Sequence, residues 1–384
     1  MGLRACRICS IAADRRGVLL LRVVWIAVAE GIHGVARWRQ LFMKALLLDA
    51  PSHLTLVERD LPVPAADEVL IRIRAVGICG SDLHGWDGST GRRRPPVVMG
   101  HEAAGEIESV GPGVEGWRPG DAVTFDSTVY CGECAACKSG EVNLCVERRV
   151  LGVSCADYRQ DGAFAEYLVL PERLLLRLPA GLTFVRAAMV EPVSIAMHAV
   201  SRAGQPGGTA IVVGAGMIGL FIVQALKFAG WNRVIAVDIN DDRLALAKEL
   251  GAAAVFNSRD AKDALVQLRK LVPDGAAAAI EVVGIEPTVD LAIRSVRRGG
   301  RVVLVGNLSP AVPVPLQIVV TNEVSILGSC ASAGEYPAAL EAIASGGIKV
   351  DPLISVVAPL AQGAEWFERL HDAPGDHLKV ILQP

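Results

Sequence analysis

Two hydrophobic patterns divide the chain. Between residue 43 and about residue 200, short apolar segments are separated by many glycines and prolines, and residues 69–76 alternate between apolar and polar side chains. This alternation is typical of a half-buried antiparallel strand, and the turns around it indicate a small β-barrel. From about residue 209, continuous apolar runs alternate with helical patterns instead. Buried strands between helices predict a parallel sheet with both faces covered.

The second region has a regular order of elements. We predict apolar strands at 210–213, 234–237, 277–283 and 301–305, and helices at 217–229 and 241–250. After about residue 330 the pattern changes again, to a helix at 336–345 and short strands that end at 378–382. This order predicts an α/β protein that contains a doubly wound sheet.

The first forty-two residues differ from the rest. They contain seven arginines, no lysine and only two acidic residues, and their apolar run at 17–30 is interrupted by Arg22. That run is too short to span a bilayer. We interpret residues 1–42 as an N-terminal extension outside the domains and expect the protein to begin at Met43. The C-x-x-C formed by Cys6 and Cys9 has no second pair, and we interpret it as chance.

The composition excludes several classes of protein. The chain has 384 residues, 52% of them hydrophobic, and a net charge of −3, so it is neither intrinsically disordered nor basic enough to attract nucleic acid. Nine cysteines are too few for a disulfide scaffold, and four of them lie within fifteen residues. Such clustering indicates metal binding in a reducing compartment, so we predict a cytoplasmic protein with no membrane partner.

A glycine-rich turn follows the first strand of the predicted parallel sheet. Gly214, Gly216 and Gly219 form a G-x-G-x-x-G motif between that strand and the next helix. In this context the first glycine makes the tight turn, the second lets the backbone approach a pyrophosphate, and the third lets the helix pack on the strand. The phosphates would lie at the helix N-terminus, which attracts anions. The alternative is a packing turn with no ligand.

An acidic residue ends the next predicted strand. Asp238 lies nineteen residues after Gly219, where a carboxylate would accept hydrogen bonds from the adenosine ribose. Because it would repel a 2′-phosphate, we predict NAD rather than NADP, although the nearby Arg243 leaves NADP open. The cofactor-binding candidates are Gly214, Gly216, Met217, Ile218, Gly219, Asp238 and Arg243.

The clustered cysteines have the spacing C-x2-C-x2-C-x7-C, formed by Cys131, Cys134, Cys137 and Cys145. Four thiolates at such short spacing can close a tetrahedron around one zinc ion and leave no position for water. We therefore predict a structural zinc site. An iron–sulfur cluster and buried cysteines without a metal are the alternatives, and the polar residues between the cysteines indicate an exposed loop.

A second group of potential ligands precedes the glycine-rich turn. Cys79 begins the segment C-G-S-D-L-H, His101 and Glu102 follow Gly100, and Glu191 precedes a proline. One thiolate, one imidazole and one carboxylate would bind zinc with a fourth position open, which is the arrangement of a catalytic site. Taken singly, each residue has an ordinary structural explanation. Their order before a dinucleotide-binding pattern favours catalysis.

From Met43 to the C-terminus the chain resembles the zinc-dependent medium-chain alcohol and polyol dehydrogenases. The resemblance rests on V-G-I-C-G-S-D-x-H at 76–84, G-H-E-A-A-G-E-I-x-x-V-G at 100–111, the cysteine cluster, D-G-A-F-A-E-Y at 161–167, E-P at 191–192 and V-G-A-G-M-I-G at 213–219. It implies a GroES-like β-barrel catalytic domain with an inserted Rossmann domain. We expect the extension at 1–42, the catalytic domain at 43–192, the Rossmann domain at 193–330 and a return to the catalytic domain at 331–384.

The resemblance also implies roles for single residues. Cys79 and His101 would be zinc ligands, and Glu102 or Glu191 would complete the shell directly or through water, as in sorbitol dehydrogenases. Ser81 would hydrogen-bond the substrate hydroxyl and begin a proton relay toward His84. Glu191 replaces the cysteine that typical alcohol dehydrogenases have at this point. One departure is Gly85, where sorbitol dehydrogenases usually carry tyrosine near the substrate.

The predicted reaction is the NAD-dependent oxidation of a secondary alcohol to a ketone on a sugar alcohol or its phosphate. The alternatives are a threonine or 2,3-butanediol dehydrogenase and a zinc- and nucleotide-binding protein without turnover. The run Arg92, Arg93 and Arg94 indicates a solvated loop, with contact to a substrate phosphate as the alternative. The resemblance further implies a homodimer or homotetramer that pairs through the strand at 324–329.

Overall fold

The computed structural model describes residues 6–13, 19–26, 42–259 and 264–384. Residues 1–41 and residues 42–384 form two separate units. In the first unit, two strands pair antiparallel, β1 (Cys6–Ala13) and β2 (Leu19–Ile26). Residues 1–5, 14–18 and 27–41 lie outside the described residues, so the interpretation of 1–42 as an extension, with a start at Met43, stays a prediction.

The second unit begins with a β-rich lobe. Its elements are β3 (Phe42–Ala50), β4 (His53–Asp60), β5 (Glu68–Gly77), α1 (Gly80–Trp86), β6 (Val97–Val98), β7 (Glu102–Val110), β8 (Ala122–Phe125), β9 (Thr128–Val129), α2 (Ala135–Lys138), β10 (Arg149–Val150), β11 (Val153–Ser154), β12 (Arg159–Gln160), β13 (Tyr167–Pro171), β14 (Leu175–Arg177), α3 (Phe184–Ala187) and α4 (Val190–Arg202). The predicted strand at 69–76 is confirmed as β5. It is a central strand, because β7 and β13 both pair with it antiparallel.

The next eleven elements form the parallel sheet and its helices. They are β15 (Thr209–Val213), α5 (Met217–Phe228), β16 (Arg233–Asp238), α6 (Asp241–Glu249), β17 (Ala254–Asn257), α7 (Ala264–Leu271), β18 (Ala276–Glu281), α8 (Glu286–Ser295), β19 (Val296–Leu304), α9 (Leu316–Thr321) and β20 (Ser325–Gly328). All neighbouring strands run parallel in the order β17-β16-β15-β18-β19-β20. This order places the glycine-rich turn after β15 at the point where the strand order reverses, which is where dinucleotides bind in such sheets.

Two strand boundaries in the parallel sheet differ from the sequence prediction by two residues or more. The strand expected at 277–283 ends at Glu281, because its carboxylate Oε1 accepts hydrogen bonds from the N–H groups of Val283 (2.9 Å) and Gly284 (2.8 Å). The strand expected at 301–305 begins earlier, at Val296, and a register shift against β18 interrupts it. The first residues of this strand were not predicted, because two arginines and two glycines interrupt the apolar run there.

The C-terminal segment returns to the first lobe. It contains α10 (Tyr336–Ala344), β21 (Val356–Pro359), α11 (Gly363–Asp372) and β22 (Val380–Gln383), with short 3₁₀ turns at Asp351–Leu353 and Leu360–Gln362. Two further 3₁₀ turns lie in the first lobe, at Val142–Leu144 and Glu172–Leu174. β22 pairs antiparallel with β5 and parallel with β21. The last strand of the chain therefore completes the sheet that the first lobe began.

One hydrophobic core joins the two lobes. It packs α4, α5 and α10 around β15, and it includes Ala75 of β5 and Ala104 of β7. Burial of this shared apolar surface stabilises the contact between the lobes. Among the described residues, no helix is both long enough and apolar enough to cross a membrane.

Candidate active site

The first helix of the β-rich lobe places Cys79 and Ser81 together. Cys79 is the residue before α1, and its N–H donates to Oδ2 of Asp82 in the first turn (3.2 Å). This bond satisfies one of the free N–H groups at the start of the helix. The hydroxyl of Ser81 donates to the Cys79 sulfur (3.4 Å). The thiol and the hydroxyl therefore lie side by side, with Ser81 exposed.

His101 and Glu102 reach Cys79 because β7 begins opposite the end of β5. Glu102 pairs with Gly77 in the register of these two strands. A side chain on Gly77 would clash with the Glu102 carboxylate and would force it to shift. The ligand atoms of Cys79, His101 and Glu102 all lie within 4.8 Å of one another, and His101 and Glu102 are buried.

This group of donors fits zinc. Nδ1 of His101 has no hydrogen-bond partner among the described residues, but it lies 3.5 Å from Oδ1 of the buried Asp82, which is an ion-pair distance. With Nδ1 facing this carboxylate, Nε2 would be the nitrogen that binds a metal. A carboxylate behind a histidine ligand is the usual arrangement at zinc sites, since it fixes the orientation of the imidazole. Oε1 of Glu102 is buried and has no hydrogen-bond partner among the described residues, and a metal ion would satisfy it.

The buried charges of this site are balanced in pairs. Burial alone would raise the pKa of Asp82 and lower that of His101, but their mutual attraction outweighs it, so the pKa of Asp82 is lowered and that of His101 is raised. Lys379 donates from Nζ to Oε2 of Glu102 and to the carbonyl of Ile78 (2.9 Å). The side chains of Lys379 and Glu102 are both fully buried. Burial lowers the pKa of Lys379, but the Glu102 charge raises it overall.

Glu191 lies next to this group but outside it. Its carboxylate is not among the atoms gathered within 4.8 Å. It stands in the first turn of α4, where Oε1 accepts a hydrogen bond from Ser127 (3.2 Å). Burial raises the pKa of Glu191 to about 7, and the charge of Glu102 adds to this shift. Of the two candidate carboxylates, the structure brings Glu102 to Cys79 and His101.

His84 and the arginine run complete the surroundings of α1. His84 is exposed in the last turn of the helix, three residues after Ser81. Arg92 and Arg94 are exposed as a solvated loop requires, but Arg93 is only 5% exposed. The interpretation of the whole run as solvated is wrong at this position, because the guanidinium pairs with Asp82 inside the protein (3.1 Å).

The four-cysteine cluster forms a compact site in the loop around α2. All four sulfur atoms lie within 4.8 Å of one another, and single separations are 3.5 Å for Cys134–Cys137, 3.6 Å for Cys131–Cys145 and 3.9 Å for Cys131–Cys137. A tetrahedron of sulfurs around zinc has edges of about 3.8 Å at the usual bond length. The cluster therefore fits zinc without rearrangement.

Local backbone groups favour the thiolate form in this cluster. The sulfur of Cys131 accepts from the N–H groups of Glu133 and Cys134, both at 3.4 Å. These bonds lower the pKa of Cys131, and similar bonds lower that of Cys134 to about 6. Burial instead raises the pKa of Cys137 to about 12. A bound cation would bring all four sulfurs to the thiolate form.

The glycine-rich turn has the geometry that a dinucleotide requires. Gly214 has a φ of +101°. A side chain on Gly219 would clash with the carbonyl oxygen of Gly214. A side chain on Gly216 would meet only open space, where a pyrophosphate would lie. The half-buried Met217 and Ile218 open α5 beside this space.

Asp238 ends β16 beside this turn. Its carboxylate accepts from the N–H of Ala215 (2.6 Å) and from those of Ile239 (2.8 Å) and Asn240 (2.9 Å). These bonds fix the carboxylate between the glycine-rich turn and the start of α6. Arg243 is half-buried on α6, and its Nε has no partner among the described residues.

Comparisons with known proteins identify the family. The alcohol dehydrogenase GroES-like domain matches residues 65–180, and the zinc-binding dehydrogenase domain matches residues 218–345. The chain is 37% identical over 332 residues to sorbitol dehydrogenase of Bacillus subtilis, covering 84% of this chain and 93% of that protein. The chain belongs to the zinc-binding alcohol dehydrogenase family. It is also 35% identical to D-xylulose reductase A of Aspergillus niger, covering 84% and 92% of the two chains.

Solved structures of several dehydrogenases share this fold. A zinc-binding dehydrogenase of Sinorhizobium meliloti 1021 with bound NADP has a TM-score of 0.81 and 30% identity, covering 90% of this chain and 100% of that one. An alcohol dehydrogenase of Escherichia coli CFT073 with NADH has a TM-score of 0.82, 33% identity and the same coverage. Galactitol-1-phosphate dehydrogenase of Escherichia coli has a TM-score of 0.83 and 28% identity, covering 89% and 100%.

Three features of the site were not predicted from the sequence, namely the burial of Arg93, the charge of Lys379 and the hydrogen bond from Ser127. Lys379 is a single lysine in an apolar C-terminal segment, Arg93 is the middle residue of a basic run, and Ser127 follows β8 without a motif. Of the three, only Lys379 has a signal that can be read from the sequence. A single lysine between apolar neighbours indicates a buried ion pair, because lysine is almost never buried without a partner.

Proposed function

We propose that this dehydrogenase oxidises a secondary alcohol of a polyol or polyol phosphate to a ketone and transfers the hydride to NAD. The observation that carries the proposal is the gathering of Cys79, His101 and Glu102 around one point in a chain that also has a dinucleotide turn. The names of its relatives support a polyol as substrate, because sorbitol dehydrogenase and D-xylulose reductase are among them.

The side chains divide the work as follows. Cys79, His101 and Glu102 would hold the catalytic zinc, while Asp82 orients His101 and Lys379 balances the charge of Glu102. When bound, the metal supplies a Lewis acid that polarises the substrate oxygen. Ser81 Oγ accepts the proton of the substrate hydroxyl and passes it toward the exposed His84. Glu191, whose Oε1 accepts a hydrogen bond from Ser127, would be the second carboxylate of the site and would act through a bound water.

The proposal for the cofactor rests on Asp238. Its carboxylate would accept the ribose hydroxyls and repel a 2′-phosphate, so NAD is preferred. The half-buried Arg243 lies nearby, and its guanidinium could pair with the 2′-phosphate of NADP. The preference for NAD over NADP therefore has to be measured, since one structurally similar dehydrogenase binds NADP. The pyrophosphate would lie against the start of α5, next to Gly214, Gly216 and Gly219. The four-cysteine cluster would hold a second zinc that stabilises its loop.

The edge of the parallel sheet offers a surface for assembly. β20 is an edge strand of the parallel sheet, and its Ile326 and Leu327 are half-buried. An apolar edge of this kind favours pairing with a second copy, and we propose a homodimer or homotetramer. The free thiols of the two clusters favour a reducing compartment, which supports a cytoplasmic location.

The test is the formation of NADH by zinc-replete protein with a panel of alcohols. The panel contains sorbitol, galactitol, xylitol, their phosphates, 2,3-butanediol and threonine, each with NAD and with NADP. We expect oxidation of at least one polyol with NAD, and comparison with its phosphate defines the substrate further. Preference for threonine or butanediol would place the enzyme in another branch. No turnover across the panel, with zinc and NAD both shown to be bound, would contradict the proposed substrate class.

A further inference from the structure

The side chain of Arg93 occupies the space beside Gly85. Gly85 is buried in α1, and a methyl group placed on it would clash with Cγ of Arg93 and come within 3.0 Å of its Cβ. The backbone of Gly85 does not have a positive φ, so its conformation is open to any residue. Alanine normally stabilises a helix interior relative to glycine by about 1 kcal/mol. Glycine at position 85 is therefore explained by the arginine that lies against it.

The guanidinium of Arg93 ends between two residues of the candidate active site. Nη2 lies 3.1 Å from Oδ1 of Asp82 and 3.5 Å from the hydroxyl of Ser81. The same Oδ1 lies 3.5 Å from Nδ1 of His101, an ion-pair distance at which the two groups attract each other without a hydrogen bond. Only 4% of the arginine side chain is exposed. One carboxylate oxygen thus joins a fixed cation to the imidazole that faces the metal position.

The main chain around Arg93 is anchored on both sides. The carbonyl of Arg92 accepts from the N–H of Ser154 (3.1 Å), and the N–H of Arg94 donates to the carbonyl of Ser154 (2.8 Å). These two bonds attach the loop to β11. The side chain therefore starts from a fixed point, and Asp82 fixes its other end. A long side chain held at both ends restrains the groups that it contacts.

We propose that Arg93 is a positioning residue of the catalytic site and that Gly85 is the residue that admits it. Through Asp82, Arg93 fixes the imidazole of His101, and through its own contact it orients the hydroxyl of Ser81. The planar guanidinium can donate to both groups at once, which a lysine ammonium does less well. The effect on zinc follows from the geometry alone, whereas the effect on Ser81 rests on the proposed function.

Zinc release tests the first part without any assay of activity. Arg93→Met and Arg93→Lys are loaded with two zinc ions per chain and exposed to EDTA, and the remaining metal is measured over time. We expect the catalytic zinc to leave about tenfold faster from Arg93→Met than from the wild type, as for other groups behind a metal ligand, with Arg93→Lys intermediate. The zinc of the four-cysteine cluster should leave at the wild-type rate. Cobalt substitution identifies which site empties, because the absorption of Co²⁺ depends on its ligands.

The matched control is Arg92→Met, an exposed neighbour in the same loop, which should release zinc as the wild type does. If Arg93→Met releases its catalytic zinc at the wild-type rate, the proposal is wrong. If Arg93→Met does not fold, Arg93→Lys decides by the same measurement, because lysine keeps the positive charge but lacks the planar guanidinium that donates to two groups at once. Equal acceleration of release at both zinc sites would indicate general destabilisation and would also overturn the proposal.

The steric part is tested by combining Gly85→Ala with Arg93→Ala. We expect Gly85→Ala alone to speed release of the catalytic zinc and to lower kcat for the best polyol more than it changes KM. In the Arg93→Ala background, Gly85→Ala should change zinc release and kcat very little. The clash with Cγ of residue 93 is then gone, and only the distance of 3.0 Å between the new methyl group and Cβ of residue 93 remains. Equal effects in both backgrounds would contradict the proposed pairing. If the wild type oxidises no polyol, the proposed function fails while the release of zinc still decides this inference.

Discussion

The four-cysteine cluster takes all its candidate ligands from residues 131–145, whereas the cluster of Cys79, His101 and Glu102 (the Cys79 cluster) depends on three segments of the chain. These are the connection between β5 and α1, the start of β7, and β22 with the residue before it, Lys379. Three of the four cysteines are half-exposed, and local N–H groups stabilise their thiolates. In the other cluster His101 and Glu102 are buried and Cys79 is half-buried, and charged side chains from other segments balance the buried charges.

The difference shows how each site depends on the rest of the molecule. A site built from neighbouring residues needs only its own loop, and bound metal supplies much of the order of such a loop. A site built from distant segments exists only after the sheet closes, and each unpaired charge in it would be costly. Variants in the first site should therefore act locally. Variants in the second should affect both metal binding and folding.

The largest effect is expected for Cys79→Ala. Loss of one ligand should remove the catalytic zinc and its Lewis acidity, which is worth several kcal/mol, so turnover should fall about a thousandfold. Metal analysis should find one zinc ion per chain instead of two. Cys155→Ala, at a half-buried cysteine outside both clusters, is the control and should keep both ions. Turnover within tenfold of the wild type would break the assignment of the two sites.

Lys379→Met should destabilise the protein by about 3–5 kcal/mol, because it leaves the charge of Glu102 buried without its partner. Glu365→Gln removes one partner of an exposed pair with Arg369 and should cost less than about 1 kcal/mol. Urea unfolding of both variants measures the contrast. Equal losses of stability would mean that Lys379 does not balance a buried charge on Glu102.

Cys134→Ser should remove the structural zinc and leave the catalytic site nearly intact. A hydroxyl does not replace a thiolate as a zinc ligand. We expect one zinc ion per chain, a fall in Tm of about 3 °C, which corresponds to about 2 kcal/mol, and turnover within tenfold of the wild type at room temperature. Calorimetry and metal analysis measure this. Loss of both zinc ions would show that the two sites are coupled.

The smallest effect concerns the attachment of the cysteine loop to the helices. Asn143 lies within the loop and contacts His198 (3.4 Å), whose Nδ1 lies 2.8 Å from Glu335 at the start of α10. Burial alone would raise the pKa of Glu335, but the His198 hydrogen bond lowers it below 4.5. A depressed carboxyl pKa stabilises the fold above about pH 4.5, and this contribution is lost as the pH falls below it.

Glu335→Gln should therefore cost about 1 kcal/mol at neutral pH, and the difference from the wild type should shrink as the pH falls toward 4. Urea midpoints at several pH values measure this difference. Glu341→Gln, at an exposed position of the same helix, should show neither effect. A difference that grows in acid would have the wrong sign and would exclude the proposed role of Glu335.

Much of the fold was predictable because its signals are local. The alternation at 69–76, the apolar runs of the parallel sheet and the motif Gly214-x-Gly216 each involve residues a few positions apart. The end of β18 was missed because the Glu281 side chain, rather than the apolar pattern, terminates the strand. The burial of Arg93 was missed because its partner Asp82 lies eleven residues earlier in a different element.

The sequence by itself determined the family, the α/β architecture and the candidate donor atoms of both zinc sites. Hydrophobic period, glycine position and cysteine spacing are set by neighbours, so they can be recognised along the chain. Only the tertiary structure decided that Glu102 rather than Glu191 is gathered with Cys79, that Lys379 balances its charge and that Gly85 admits Arg93. The reason is that these contacts form when β22 closes the sheet beside β5 and when a loop packs on a helix, and no spacing along the chain specifies which distant charges then meet.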